Sequence, residues 1–394
     1  MFLTECLACG GRNLHLFINL GEQPLANAFH RLCEKVEKFP LGANVCTDCW
    51  HSQLAYAVNP DLLFKNYLYT SGTTSTLKAY FHNFVETVEA SANKTKLRVL
   101  DIASNDGSLL KVFKDRGHEV QGVDPAENLQ QLSQENGVPT HVGYWDAKAL
   151  TAVGGNYDVI VAMNVLAHTA NPLQFLSLCK ETLAPDGSIY VQTSQAKMLA
   201  NGEFDTIYHE HISFFTSKSF LALAERAGLH VEFISQVPIH GTSYLVKLKK
   251  TQGLFFYAVD DEKDGYFELA TYERFRLKAW RTLETVVQLT GLYQKMGFTT
   301  VGYGAAAKGM TFLNAALGEI PLHSIIDDNP LKVGLLTPGQ NIPVAAQIPD
   351  TDGPILFLIL AWNFYDEIRE RIRAVRPNSG DAFLTYFPDI RLSQ

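Results

Sequence analysis

The chain has 394 residues, 46% of them apolar and 19% charged, with a formal net charge of −8. That length is long for a single core and predicts two or three domains. The acidic balance argues against a surface that holds nucleic acid by bulk electrostatics.

The first residues, MFLTECLACG, lack the basic end and apolar run of a signal peptide. No stretch approaches the roughly 20 apolar residues of a membrane span. The longest, Ile355 to Trp362, suits a buried strand. A reducing cytoplasm is the expected setting, where six cysteines serve as thiols or metal ligands rather than disulfides.

Residues 1–75 carry cysteine-bearing turns and few helical patterns. Cys6-x-x-Cys9 and Cys46-x-x-Cys49 bracket 36 intervening residues. Two such pairs place four thiolates around one zinc ion, with no coordination position left open, so the metal is expected to be structural. A redox reading is weaker, because neither pair opens a helix after a strand. Cys33 and Cys179 lie outside the pattern.

From Leu97 the pattern becomes strand, loop, helix. RVLDI reads as a strand, SNDG as a turn and SLLKVFKDRG as a helix. HEVQGVD, YDVIVAMNV and SIYVQTS follow as strands, with helices between them. Such alternation predicts a parallel, doubly wound sheet over residues 76–250. The Asp101 to Gly107 turn is then at the place where open α/β sheets bind ligands. It has one glycine, too few for the dinucleotide fingerprint. S-adenosylmethionine has no phosphate and needs close backbone approach and an acceptor for its ammonium. Asp101, Ser104, Asn105, Asp106 and Gly107 offer these. Asp124 ends the next strand, where a carboxylate accepts ribose hydroxyls, and Asn164 ends a later one. An ordinary turn with surface acids is the alternative.

Tyr208-His209-Glu210-His211 packs four polar groups into a row. If it is extended, Tyr208 and Glu210 face one way and His209 and His211 the other. Metal binding lacks an evident third ligand, and a polar edge strand is the bland reading. The sharper one is general-base chemistry. Methylating carbon needs an enolate, hence a base beside a carbonyl and a donor for the oxyanion. Histidine titrates near neutrality, a neighbouring carboxylate can orient it, and tyrosine can donate.

A long, mixed-charge helix is expected within residues 263–297, and a second α/β alternation after it, giving a third domain over 251–394. Gly302-Tyr303-Gly304-Ala305-Ala306-Ala307-Lys308 reads G-x-G-x-x-A, with Asp327 25 residues after Gly302. This fits NAD or the diphosphate of a nucleotide-sugar, or else a tight turn without ligand.

In combination the chain resembles the sugar C-methyltransferases that act on nucleotide-linked 4-keto-deoxysugars. The resemblance spans GEQPLANAF, SNDG, GVDP, YHEH, GYGAAAKG, IDDNPLKVG, TPG and AWNF. Ala103 stands where the family often has glycine. The resemblance implies an N-terminal zinc domain, a central Rossmann-like class I methyltransferase domain and a C-terminal Rossmann-like domain. It implies a nucleoside-diphosphate 4-keto-6-deoxyhexose substrate, often thymidine-linked, methylated at C3. His211 is implied as base, with Tyr208 and Glu210 beside it and His168 near the sugar. The stretch holding Tyr67 and Tyr69 resembles a family segment that closes over the site. Gly302, Gly304, Lys308, Asp327, Trp362 and Asn363 would serve the nucleotide-sugar. Methylation of oxygen or of another keto compound, NAD-dependent oxidoreduction at Gly302, and zinc-dependent binding without catalysis are the rival expectations.

Overall fold

The structure is a computed structural model, and it describes residues 1–64, 75–239, 241–351, 353–377 and 379–394. Three sheets organise it. The N-terminal strands β1 (Leu14–Pro24), β2 (Lys38–Cys46) and β3 (Ser52–Leu54) form an antiparallel ladder.

The central sheet begins with β4 (Arg98–Ile102), β5 (Glu119–Asp124) and β6 (Thr140–Val142). It continues with β7 (Tyr157–Met163) and β8 (Leu183–Thr193), and these five strands run parallel. Strand β8 begins five residues earlier than the SIYVQT pattern suggests. Leu183 still pairs with Tyr157, and a register shift absorbs the Pro-Asp-Gly that reads as a stop in sequence. A short strand, β9 (Ser213–Phe214), then leaves this region and pairs antiparallel with β3, completing the N-terminal sheet. Next come β10 (His230–Val237), β11 (Ser243–Lys249) and the edge strand β12 (Phe256–Ala258). The order across the sheet is β12-β10-β11-β8-β7-β4-β5-β6, with β11 antiparallel between β8 and β10. That reversed strand beside a doubly wound parallel core is the class I methyltransferase arrangement.

A helix of 27 residues, Leu269–Lys295, leads to the third sheet. Its apolar side, including Tyr272, Phe275, Ala279 and Val286, packs into a core shared with Phe17 and Leu54 of the first sheet, Leu358 of the third, and Met310 and Phe312 of the helix Ala307–Ala315. The third sheet holds β13 (Thr299–Tyr303), β14 (Ile325–Ile326), β15 (Val344–Ala345), β16 (Ile355–Ile359), β17 (Ala382–Thr385) and β18 (Arg391–Ser393), all parallel but the last. Strand β16, ILFLI, is wholly buried, as a central parallel strand must be. No helix among the described residues is long and apolar enough to cross a membrane.

Candidate active site and metal centre

The two CxxC turns meet. The Sγ atoms of Cys6, Cys9, Cys46 and Cys49 all lie within 4.8 Å of one another. Cys6 and Cys49 approach to 3.5 Å and Cys9 and Cys46 to 3.6 Å. A tetrahedral zinc with Zn–S bonds of about 2.3 Å requires S···S separations of about 3.8 Å, so the four thiols fit that ion. All six cysteines are free, with Cys33 exposed and Cys179 buried elsewhere. The site is coupled to the rest of the chain. Cys46 ends β2, β2 pairs with β3, and β3 carries β9, which begins two residues after His211. Leu54 N donates to the Ile212 carbonyl at 2.9 Å.

The first loop runs from the end of β4 into the helix Ser108–Asp115. Ala103, Asn105 and Gly107 all have positive φ, at 61°, 52° and 75°. For Ala103 this left-handed backbone costs about 1–2 kcal/mol, which explains why glycine suits that position. Asp124 shapes the turn. Its Oδ2 accepts from Asn105 N and its Oδ1 from Ala126 N, both at 2.8 Å. Each oxygen keeps a second lone pair for a ligand. Burial, followed by the charges of Asp124 and Asp106, pushes the Asp101 carboxyl well above its ordinary range. Asp101 Oδ1, Ser104 Oγ and Asn164 Oδ1 are buried without a partner among the described residues. Three orphaned polar atoms at the neighbouring ends of β4 and β7 are what an amino-acid and ribose ligand would satisfy.

The YHEH box is a turn, not the extended segment that alternation suggests. His211 N donates to the Tyr208 carbonyl at 2.9 Å, an i to i+3 closure that brings both side chains to one side. Their rings lie 4.1 Å apart. His211 Nδ1 is 2.8 Å from the Thr206 carbonyl, which only accepts, so Nδ1 carries the hydrogen. Nε2 is therefore the basic nitrogen, and Tyr208 Oη donates to it at 3.0 Å. Burial, then the neighbouring His168, holds His211 well below its usual pKa. The His168 ring packs edge-on at 5.0 Å and is itself pushed down to about 4 by burial.

Glu210 does not orient His211, although the sequence places them side by side. Its Oε1 accepts from Asn27 Nδ2 at 2.6 Å, because the turn directs it toward the N-terminal domain. Burial pushes its carboxyl up to about 7. His209 turns outward from the site toward β2, with Nε2 3.3 Å from the Phe39 carbonyl.

The second loop follows β13. Gly304 has φ 88°, and a Cβ there would sit 2.5 Å from the Ala361 Cβ. Ala305 N donates to Asp327 Oδ2 at 2.6 Å, and Lys332 Nζ to the Ala305 carbonyl at 2.8 Å. The glycine geometry is thus used within the protein, so the loop's shape by itself does not call for a dinucleotide. Lys308 stands over the Trp362 ring, 4.5 Å from its centroid. Trp362 Nε1 donates to Asp205 Oδ2 at 2.8 Å. Asn363 lies beside it in a short 3₁₀ turn, Trp362–Phe364, and is exposed. Tyr67 and Tyr69 lie outside the described residues.

Sequence reasoning missed Asp205, Thr206, Asn27 and Gln195. Asp205 is wholly buried, and burial pushes its carboxyl up to about 7. Gln195 has φ 82°, and both its amide atoms are buried without a partner among the described residues. Thr206 acts through its backbone. Asn27 lies within the GEQPLANAF segment, and the other three carry no sequence motif. Only the apolar neighbourhood of Asp205, in GEFDTIYHEH, hints at burial.

The chain matches the family described as a methyltransferase domain over residues 76–232. It matches a C-methyltransferase C-terminal domain over 246–388 and a zinc binding domain over 6–64. The C-methyltransferase NovU of Streptomyces niveus is 28% identical over 99% of this chain and 97% of its own. A ubiquinone biosynthesis O-methyltransferase of Dinoroseobacter shibae is 30% identical, over 34% of this chain and 60% of that enzyme. The magnesium protoporphyrin IX methyltransferase of Synechocystis, solved with S-adenosylmethionine bound, is 16% identical over 44% of this chain and 79% of its own, with a TM-score of 0.34.

Proposed function

The chain belongs to the S-adenosylmethionine-dependent C-methyltransferases that carry an N-terminal zinc-binding domain, and from that premise we propose that it methylates C3 of a nucleoside-diphosphate 4-keto-6-deoxysugar through an enolate. The observation that carries this reading is the His211 geometry. Its tautomer is fixed by the Thr206 carbonyl, and its basic nitrogen is neutral and held by a hydroxyl. A ketone acidifies the carbon next to it, and such a base suits that proton.

S-adenosylmethionine supplies the electrophilic methyl group. Asp101, Ser104, Asn105, Asp106, Gly107, Asp124 and Asn164 bind and orient it at the ends of β4, β5 and β7. His211 Nε2 takes the C3 proton once the substrate displaces the Tyr208 hydroxyl. Tyr208 then turns to the C4 oxygen. Bound geometry accounts for much of the rate, because the sulfonium is already a strong leaving group. His168 packs edge-on against His211, and Glu210 ties the box to Asn27 of the N-terminal domain. The third domain, through Gly302, Gly304, Lys308, Asp327, Trp362 and Asn363, holds the nucleotide-sugar. A cytoplasmic setting would keep the four cysteines reduced for zinc.

The test is turnover of S-adenosylmethionine with a panel of keto-sugar nucleotides, read as a mass gain of one methylene unit. His211→Ala is expected to abolish it while S-adenosylhomocysteine still binds. Full turnover by that variant would remove the base from His211. A methyltransferase acting on oxygen needs no enolate. Exchange of the C3 hydrogen in heavy water separates the two chemistries.

A further inference from the structure

A cation from the third domain is wired to the base. Lys308 is half-buried and has no hydrogen-bond or ion-pair partner among the described residues. Its ammonium lies 4.5 Å from the Trp362 ring centroid. The same indole donates to Asp205 at 2.8 Å, and Asp205 directly precedes Thr206, whose carbonyl fixes His211. The lysine's field reaches both Asp205 and His211.

An ammonium half removed from water is costly without a nearby negative charge. Asp205 supplies only part of one. Burial raises its carboxyl to about 7, so near neutrality much of it is uncharged, and its Oδ1 has no partner. A positive group left under-compensated beside a base suits a site where negative charge develops during reaction. Removing the C3 proton creates such charge. The C–H electron pair becomes the C3–C4 π bond, and the ketone's π pair moves to the C4 oxygen. The proton resides on His211. When C3 takes the methyl group, the C–S pair returns to sulfur, the C4 ketone re-forms and His211 releases its proton to water. Between those events a full charge sits on oxygen. Tyr208 brings one neutral hydrogen bond to it, which is weaker than a cation in a buried site.

We propose that Lys308 is the catalytic cation that holds the C4 oxyanion, with Trp362 and Asp205 as the positioning residues that keep its ammonium beside His211. This rests on the enolate reading above and assigns Lys308 to the reacting carbonyl rather than to the diphosphate.

The experiment measures two quantities on the full chain with a keto-sugar nucleotide that the wild type turns over. One is exchange of the C3 hydrogen in heavy water with S-adenosylhomocysteine bound. The other is the split between kcat and KM for methyl transfer. Lys308→Met is expected to lose about 10²–10³-fold in both exchange and kcat, the scale of an oxyanion donor, with KM within about threefold. Lys308→Arg, which keeps the charge, recovers part of the exchange. Unchanged S-adenosylhomocysteine affinity in both variants shows that the fold is intact. A Lys308→Met enzyme with raised KM and wild-type kcat would overturn the proposal and return Lys308 to the diphosphate. Wild-type exchange by Lys308→Met would overturn it as well. If the wild type methylates but never exchanges, the enolate reading itself fails and takes this inference with it.

Discussion

Asp124 and Asp327 make the same pair of bonds in two different sheets. Asp124 accepts from Asn105 N and Ala126 N, both at 2.8 Å, and Asp327 accepts from Ala305 N at 2.6 Å and Asn329 N at 2.8 Å. Each carboxylate stands at or just beyond the end of the second strand of its α/β unit. Each pins the loop after the first strand to its own backbone. They differ in setting, since Asp124 lies beside orphaned acceptors and Asp327 beside Lys332, whose ammonium is bonded to the loop it caps.

Replacing these acids should therefore give different outcomes. Asp124→Ala removes the proposed ribose acceptor and the charged bonds that shape the turn. At about 1.5–3 kcal/mol for a hydrogen bond to a charged group, S-adenosylhomocysteine binding should weaken about 10–100-fold by calorimetry. Asp327→Ala should lower stability and leave that affinity within about twofold. Equal losses of affinity in both variants would contradict the assignment of the first loop to the cofactor.

Gly304→Ala is expected to destabilise the third domain by about 2 kcal/mol or more. The residue is held at φ 88° and its new Cβ would meet the Ala361 Cβ at 2.5 Å. Chemical denaturation reads the loss. A neutral result would mean that the loop relaxes freely and is not braced as described.

The contribution of Glu210 to stability should fall as pH rises from about 5 to 8. Burial raises the Glu210 carboxyl from 4.5 to about 7. The folded state therefore binds more protons than the unfolded one between those values. The Glu210 contribution is fully present below pH 4.5 and is lost as pH rises through 7, while the depressed His168 and His211 act in the opposite direction at lower pH. Glu210 alone accounts for about 3 kcal/mol at 1.36 kcal/mol per pH unit. Glu210→Gln should raise the melting temperature relative to wild type more at pH 8 than at pH 5. An unchanged slope would show that Glu210 is solvated or otherwise paired in solution.

Metal removal should reach beyond the N-terminal sheet. Purified protein is expected to hold one zinc per chain by elemental analysis. Chelation, or Cys46→Ser, should lower the melting temperature and also reduce methyl transfer, because β3 supports β9 directly after the box. Apo protein with full activity would separate the metal from the site.

Much of this was readable from residues alone. The cysteine spacing announced its metal because four thiolates at two CxxC turns have few other uses. The strand–turn–helix runs around Asp101 and Gly302 were legible because buried parallel strands such as RVLDI and ILFLI are short, apolar and bounded by turn residues. The box was misjudged for a physical reason. Alternation arguments assume an extended backbone, and a closure between Tyr208 and His211 is a backbone choice that polar side chains do not announce. The partners of Glu210 and His211 were invisible for another reason. Asn27 lies 183 residues away in sequence, and Thr206 contributes a carbonyl that every residue possesses. The Asp205–Trp362 bond spans 157 residues. Such long-range pairings follow from how domains dock, which no local pattern encodes.

The pairing of β3 with β9 bears on how this enzyme could be shortened. A chain begun at residue 76 would retain the whole central sheet and resemble a compact, minimal methyltransferase on paper. It would also leave residues 213–214 with an open edge and the Ile212 carbonyl unclaimed. The amino-terminal lobe is thus scaffolding for the YHEH turn rather than a detachable accessory, and moving that turn onto another methyltransferase would require transplanting both pieces together.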